Sequence, residues 1–272
     1  MDTLLALDED MKQIPNITLC NTVYSYEYHL ANGNQVISNE LYEKIMTEIE
    51  NDHMAPYYVH LCSKFSWNID ENKLNHMREM NKQHEEKIAK QHADAVENAG
   101  DMELLDALFA KARHYATIGD CEESLKAYDE ILALKKVSSG KKIDATLDKM
   151  RVAFFTLDKP KIKVLLEEAR KLIDFGGDWD RRNRLKVYEA YYLLAAREIR
   201  QASTILIECI ATFSCVELAS YNDFMSLAIT TSLINLPRAQ LKDQVVKNPQ
   251  VISVIREYPH LERLLLSLYN CD

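Results

Sequence analysis

ELLDALFAKARHYATIGDCEESLKAYDEILAL, Glu103 to Leu134, reads as two amphipathic helices around a turn at Gly119-Asp120. The same arrangement returns downstream. DATLDKMRVAFFTLDKPKIKVLLEEARKLIDF, Asp144 to Phe175, is a second pair turning at Asp158-Lys159-Pro160. RRNRLKVYEAYYLLAAREIRQASTILIECIATF, Arg181 to Phe213, is a third, turning near Arg197–Arg200. The turns recur about every 40 residues, and each pair has a small-and-aromatic first helix and an aliphatic second one. That periodicity is the signature of tetratricopeptide-like (TPR-like) α-solenoid units. A single pair cannot bury both its faces, so pairs stack and share a continuous core. The expectation is an all-α chain, a right-handed α-solenoid of TPR-like helical pairs over residues 101–215.

Upstream, residues 1–55 carry apolar residues at helical spacing in TLCNTVYSYEYHL and SNELYEKIMTEIEND, separated by the loop ANGNQ, Ala31 to Gln35. Leu41, Ile45 and Ile49 fall at i, i+4 and i+8, with Ser38 or Asn39 as the N-cap. Residues 56–100 hold a helix that Pro56 can begin, with Tyr57, Tyr58, Leu61, Cys62 and Phe65 on its apolar side. One long polar helix over 70–99 follows, its thin seam made by Leu74, Met77, Ile88 and Ala95. Downstream, residues 216–272 read as three or four short helices punctuated by Pro237, Pro249 and Pro259. Leu261, Leu264, Leu265 and Leu268 make an apolar face there that wants a neighbour.

Composition agrees with helices and argues against several functions. Six glycines and six prolines in 272 residues leave few positions for tight hairpins. The net charge of −9 lowers the prior for nucleic-acid binding, which needs a basic face. No stretch approaches the roughly 18 apolar residues of a membrane span, and MDTLLALDEDMKQ has no basic n-region or apolar core of a secretory signal. Six scattered cysteines without a CxxC pair read as reduced thiols of a cytosolic or nuclear protein.

Signs of chemistry are few. The eight histidines form no HExxH, and His84 and His92, two turns apart on the polar helix, read as surface residues rather than as a metal site. There is no GxGxxG, GxxxxGKS/T or GxSxG. VSSGKKID, Val137 to Asp144, lacks the strand and first glycine of a phosphate loop and reads as a loop between helix pairs. No catalytic, cofactor-binding or metal residue is expected.

GGDWDRRNRLKVYEAYYLL, Gly176 to Leu194, is the densest local pattern. Arg181, Arg182, Arg184 and Lys186 could meet an anion or an acidic partner at the positive end of a helix. Local physics gives a plainer reading. Gly176-Gly177 ends one helix in the left-handed conformation glycine tolerates. Asp178 caps the next, with Asp180 in its first turn. Trp179 folds back on Leu172 or Phe175, and the arginines stay outside. Leu185, Tyr188, Tyr192 and Ala195 make one buried stripe; Val187, Tyr191 and Leu194 make another.

GGDWDRRNRLKVYE resembles the hallmark segment of non-ATPase regulatory subunit 6, a PCI-domain family in the lid of the 26S proteasome regulatory particle. Three further blocks are similar to that family in the same order: NDHMAPYYVHLCSKFSWNIDENKLNHM (Asn51–Met77), ATFSCVELASYNDF (Ala211–Phe224) and LERLLLSLYNCD (Leu261–Asp272). The resemblance spans roughly residues 51 to 272. It implies a non-catalytic scaffold whose solenoid leads, over 216–272, into the helical part of a PCI domain. Family members continue into a winged helix that this sequence lacks, and the Leu261–Leu268 face is where such a part would rest. The resemblance further implies other lid subunits (PCI subunits and the deubiquitinating subunit) and the ATPase ring as partners. Nucleic acid and membranes are not expected, and the location is cytoplasmic and nuclear. Gly177, Asp178, Trp179, Arg181, Arg182, Asn183, Arg184 and Tyr188 are the motif residues to test for interaction. Related PCI scaffolds sit in the COP9 signalosome and in translation initiation factor three. A TPR-like peptide-binding adaptor is a further alternative, but it needs Lys, Arg and Asn at matching repeat positions, and no such set recurs.

Overall fold

The computed structural model describes residues 13–98 and 100–271, and of Asn98 the backbone alone. Within them lie fourteen α-helices, one 3-10 turn and one π turn, and no strand. The expected all-α class is what the chain adopts. The first residues of the N-terminal segment (1–12), the end of the polar helix at Ala99 and the closing Asp272 lie outside the described residues. The chain divides between Asp158 and Lys159 into two compact units.

The unit of residues 13–158 contains α1 (Ile17–Ala31), α2 (Gln35–Asn51), α3 (Ala55–Phe65), α4 (Glu71–Asn98), α5 (Asp101–Thr117), α6 (Cys121–Ala133) and α7 (Ser139–Phe155). Each packs on the next in order, and α1 also meets α7. Asn16 caps α1 by accepting the Leu19 N–H at 3.0 Å. The α2 helix starts a turn earlier than Ser38 or Asn39. Asn34 is its N-cap, and Ser38 is buried inside the helix with its hydroxyl donating to the Asn34 carbonyl at 3.0 Å. Leu41, Ile45 and Ile49 face the core as their spacing requires. Pro56 sits in the first turn of α3, where its missing N–H costs nothing. Trp67, just past α3, packs edge-on to Tyr26 and Tyr42 and donates its Nε1–H to the Tyr26 hydroxyl at 3.1 Å.

The long helix α4 runs as its polar, uninterrupted sequence predicts. Asp70 starts it, accepting the N–H groups of Asn72 and Lys73. Leu74, Met77, Asn81, Ile88 and Ala95 are its buried seam. Asn81 was not among the apolar positions that mark the seam, and it is satisfied there by donating to the His53 carbonyl at 2.9 Å.

The α5–α6 hairpin turns at Gly119, whose φ of +78° needs glycine. A side chain there would also collide with α3, since a Cβ would lie 2.6 Å from the Tyr57 Cβ. Asp120 caps α6 through the Glu123 N–H at 3.2 Å. VSSGKKID is only partly a loop. Ser138 caps α7, which begins at Ser139, and Lys141 in its first turn pairs with Asp106 at 3.4 Å. Most of α7 is buried, so its Asp148 must be satisfied internally. Arg151 pairs with it, Arg113 lies at 3.3 Å, and the Tyr128 hydroxyl donates to it at 3.2 Å.

The unit of residues 159–271 contains α8 (Lys159–Gly176), α9 (Trp179–Ala195), α10 (Ile199–Cys209), the 3-10 turn Ile210–Thr212, α11 (Tyr221–Asn235), α12 (Arg238–Leu241), the π turn Lys242–Val246, α13 (Pro249–Ile255) and α14 (Pro259–Asn270). The α8, α9, α10 and α11 helices pack in sequence, and α11 carries α13 and α14 against it. Phe224, Met225, Ala228 and Ile229 of α11 are buried, as a helix between neighbours requires. The prolines punctuate as expected: Pro237 precedes α12, and Pro249 and Pro259 occupy the first turns of α13 and α14. All six cysteines are free thiols.

Candidate functional site

The GGDWDRRNR segment joins α8 to α9 and divides into an inner and an outer set of side chains. Helix α8 closes at Gly176, and the Gly177 N–H donates to the Ile173 carbonyl at 2.8 Å. The expected left-handed glycine is not what ends it. Positive φ occurs at Gly33 and Gly119 alone among the described glycines. Gly177 is required by proximity instead: a Cβ would fall 2.8 Å from the Ile173 Cα.

Asp178 caps α9, accepting the Arg181 N–H at 2.8 Å and pairing with the Arg181 guanidinium. That N–H first, and the guanidinium with it, hold the Asp178 carboxyl below the usual carboxylate range. Asp180, in the first turn, accepts from the Ser214 hydroxyl at 2.8 Å.

The arginines do not all stay outside. Arg184 turns inward, and its Nε and Nη2 reach Glu217 Oε1 at 2.7 and 2.6 Å. The Tyr188 hydroxyl donates to the same oxygen at 3.4 Å, and the Tyr188 ring is fully buried. Burial alone would lower the Arg184 pKa. Glu217, helped by Tyr188 and Cys215, outweighs it and holds the guanidinium above its ordinary value. The connection between the 3-10 turn and α11 is therefore tied to α9 by one carboxylate. Asn183, the residue before Arg184, is also buried. Of the two expected stripes, Leu185, Val187 and Tyr188 are buried, while Tyr191, Tyr192, Leu194 and Ala195 are only half-buried.

The outer set is Phe175, Trp179 and Arg182. Trp179 does not fold back into the core; it is 66% exposed, and Phe175 is 88% exposed. A buried tryptophan would have packed at the helix junction, but the cap at Asp178 directs residue 179 outward on the first turn of α9. Arg182 is exposed and makes no ion pair among the described residues. Lys186, also exposed, pairs with Glu208 at 3.3 Å. Of the motif residues, Gly177, Asp178, Arg181, Asn183, Arg184 and Tyr188 thus serve the fold, and Trp179 and Arg182 are presented to solvent.

The four leucines of α14 do not form one face. Leu265 is 3% exposed and packs inward, and Leu261 is half-buried. Leu264 and Leu268 point out, joined by Leu266. Pairing at i and i+4 puts 264 with 268 and 261 with 265, so the helix splits the set.

Sequence reasoning missed Glu217 and Asp148 as the buried acids that hold arginines. The signal for Glu217 was a lone acid in the apolar run SCVELAS. Among the described residues no cluster of His, Cys, Asp and Glu has metal-binding geometry, and no helix is long and apolar enough to cross a membrane.

The family model for 26S proteasome subunit RPN7 matches residues 70–244, from the start of α4 into the π turn. The chain belongs to the RPN7 family. It is similar to 26S proteasome non-ATPase regulatory subunit 6 of Dictyostelium discoideum, with 34% identity covering 98% of this chain and 68% of that protein. The subunit of the same name from Oryza sativa subsp. japonica is 32% identical over 97% of this chain and 67% of its own length. The 26S proteasome regulatory subunit RPN7 of Saccharomyces cerevisiae is 30% identical over 98% of this chain and 67% of its own. The likeness to RPN7 proteins therefore extends through the N-terminal segment, beyond the span from residue 51 that the four motif blocks marked out.

Proposed function

We propose that this chain is a non-catalytic scaffold subunit of the 26S proteasome regulatory-particle lid, supporting assembly and ubiquitin-dependent protein degradation. The observation that carries this reading is the match to proteasome regulatory subunits over 98% of the chain. The geometry supports it. Asp178, Asp180, Arg181 and Arg184 are engaged in a cap, hydrogen bonds and ion pairs that shape the helices, while two exposed aromatics and Arg182 are left to a partner. Exposed aromatic and arginine side chains of this kind are the usual anchors of protein interfaces.

In this reading residues 1–55 and 56–100 form the N-terminal helical part. Residues 101–215 are the TPR-like repeats, and 216–272 open the PCI helical bundle. The partners are other lid subunits, including the PCI subunits and the deubiquitinating subunit, and the ATPase ring. The location is cytoplasmic and nuclear. Trp179 and Arg182, with Phe175, are the interaction residues of the motif; Leu264 and Leu268 are those of α14.

The test is affinity purification of the tagged endogenous protein followed by quantitative mass spectrometry. Lid subunits and ATPases recovered at near-equal amounts support the scaffold reading. Recovery of signalosome or initiation-factor subunits in their place would move the function to another complex. In the same assay a Trp179→Ala/Arg182→Glu variant should recover fewer lid subunits while melting normally.

A further inference from the structure

The connection between α6 and α7 runs through LKKVSSGKK, Leu134 to Lys142. Helix α6 ends at Ala133 and α7 begins at Ser139, so the stretch between them carries no helix. Its two ends are extended, with φ and ψ of −67° and 130° at Leu134 and −63° and 152° at Ser138. Leu134, Lys135, Lys136 and Ser138 are all exposed. An exposed segment outside the helices can enter the cleft of another enzyme without disturbing the core.

Ser138 accepts the Lys141 N–H at 3.4 Å, and its own hydroxyl donates to no group among the described residues. Its oxygen is a nucleophile held at the surface. Lys135 and Lys136 precede it by three and two positions. Lys135 makes no ion pair among the described residues. Lys136 pairs with Asp101 at 3.1 Å, but the two side chains are 81% and 69% exposed, so the pair contributes little and is readily exchanged. Two lysines ahead of an accessible serine in an extended chain suit a cleft lined with carboxylates, the kind of charge pattern by which kinases choose substrates. The neighbouring Ser139 fits less well. It is the first residue of α7, it is half-buried, and Val137 takes the place two before it.

The surroundings also accommodate the product. No acidic residue lies between Lys135 and Lys142 in the chain. Lys141 and Lys142 follow Ser138 in the first turn of α7, and Lys142 makes no ion pair among the described residues. A phosphate on Ser138 would stand among cations, without like-charge repulsion from its own segment.

We propose that Ser138 is a phosphoacceptor for a basophilic serine/threonine kinase, one whose cleft takes lysine two and three residues before the serine. The Ser138 Oγ attacks the γ-phosphorus of ATP. The bond from that phosphorus to the β,γ-bridging oxygen breaks, ADP leaves, and the hydroxyl proton passes to the carboxylate base of the kinase. Nothing in the scaffold reading requires this site, and it stands or falls apart from it.

The experiment incubates the folded full chain with ATP and the catalytic subunit of cyclic-AMP-dependent protein kinase, a basophilic enzyme. Intact mass and peptide fragmentation read the product. One phosphoryl group, on Ser138, is expected, and Ser138→Ala should lose it. Lys135→Ala with Lys136→Ala should slow the transfer at least about 10-fold, the value of one charge-assisted hydrogen bond. Both lysines are exposed, so this variant keeps the fold. Absence of transfer to the unaltered folded chain overturns the proposal. So does a phosphoryl group found on another residue in place of Ser138, a result that depends on no variant. An undiminished rate in the double lysine variant would remove the basis of recognition and overturn it too.

Discussion

Replacing Glu217 by leucine tests the inner half of the motif. The substitution removes the carboxylate that Arg184 contacts at 2.7 and 2.6 Å and that Tyr188 reaches at 3.4 Å. The side chains of the pair are 19% and 11% exposed, so water cannot fully replace the lost partner. Breaking a buried pair on one side costs about 3–5 kcal/mol, because the other charge is left uncompensated. The residual exposure of Arg184 places the cost near the lower end, about 3 kcal/mol. At roughly 2–4 °C per kcal/mol for a chain of this size, the melting temperature should fall by about 6–12 °C. Removing both charges, Arg184→Met with Glu217→Leu, should recover most of the loss, since an apolar pair of similar volume is often neutral. Thermal and urea unfolding followed by circular dichroism at low and high salt give the measurement. A buried pair is screened little, so the loss should persist in about 1 M salt. A Glu217→Leu protein melting within a degree of the parent would refute the reasoning. A double variant as unstable as the single one would refute the assignment of the loss to an orphaned guanidinium.

Three other outcomes follow from the same geometry. Gly177→Ala should cost about 1–3 kcal/mol by overpacking, since its Cβ would meet the Ile173 Cα at 2.8 Å; an unchanged urea midpoint would show that α8 relaxes freely there. Trp179→Ala should shift stability by less than about 0.5 kcal/mol, because the indole is exposed, and a calorimetric loss of several degrees would mean that it packs inward. His114, which burial and the neighbouring His84 hold neutral, gives a pH dependence. Its folded pKa of about 4 is below the ordinary 6.5, so between these values the unfolded chain binds the proton and the folded one does not. Stability should therefore fall as pH drops from about 6.5 toward 4, by up to about 3 kcal/mol. The decline should be shallower in His114→Phe, and NMR titration of the imidazole above pH 6 would contradict it.

The helices were legible in the sequence because their signals are local. Leu41, Ile45 and Ile49 repeat at one helical face, Asp178 stands where a cap must, and prolines mark the starts of α13 and α14. The fate of individual charged and aromatic residues was not legible, because it depends on partners distant in the chain. Arg184 is buried only because Glu217, 33 positions away, arrives beside it. Trp179 looked like a core residue by type, yet the geometry of the cap directs it to solvent. The reason for Gly177 was misassigned for a related cause. Left-handed φ and close packing both demand glycine, and only the position of Ile173 distinguishes them. His84 read as an ordinary surface histidine, and nothing near it in sequence predicts the stack on His114 thirty residues later.

The seam of α4 repeats Asn81, Ile88 and Ala95 at seven-residue intervals. Seven residues turn an α-helix through about 700°, within roughly 20° of two full turns. Removing seven residues would thus shorten the helix by about 10 Å and leave the seam facing the same way. Removing five would rotate everything beyond the cut by about 140° and turn the seam toward water. Direction and reach are therefore written separately into this helix, and it could be lengthened or shortened in whole heptads as a ruler without re-inventing the surface on which it rests.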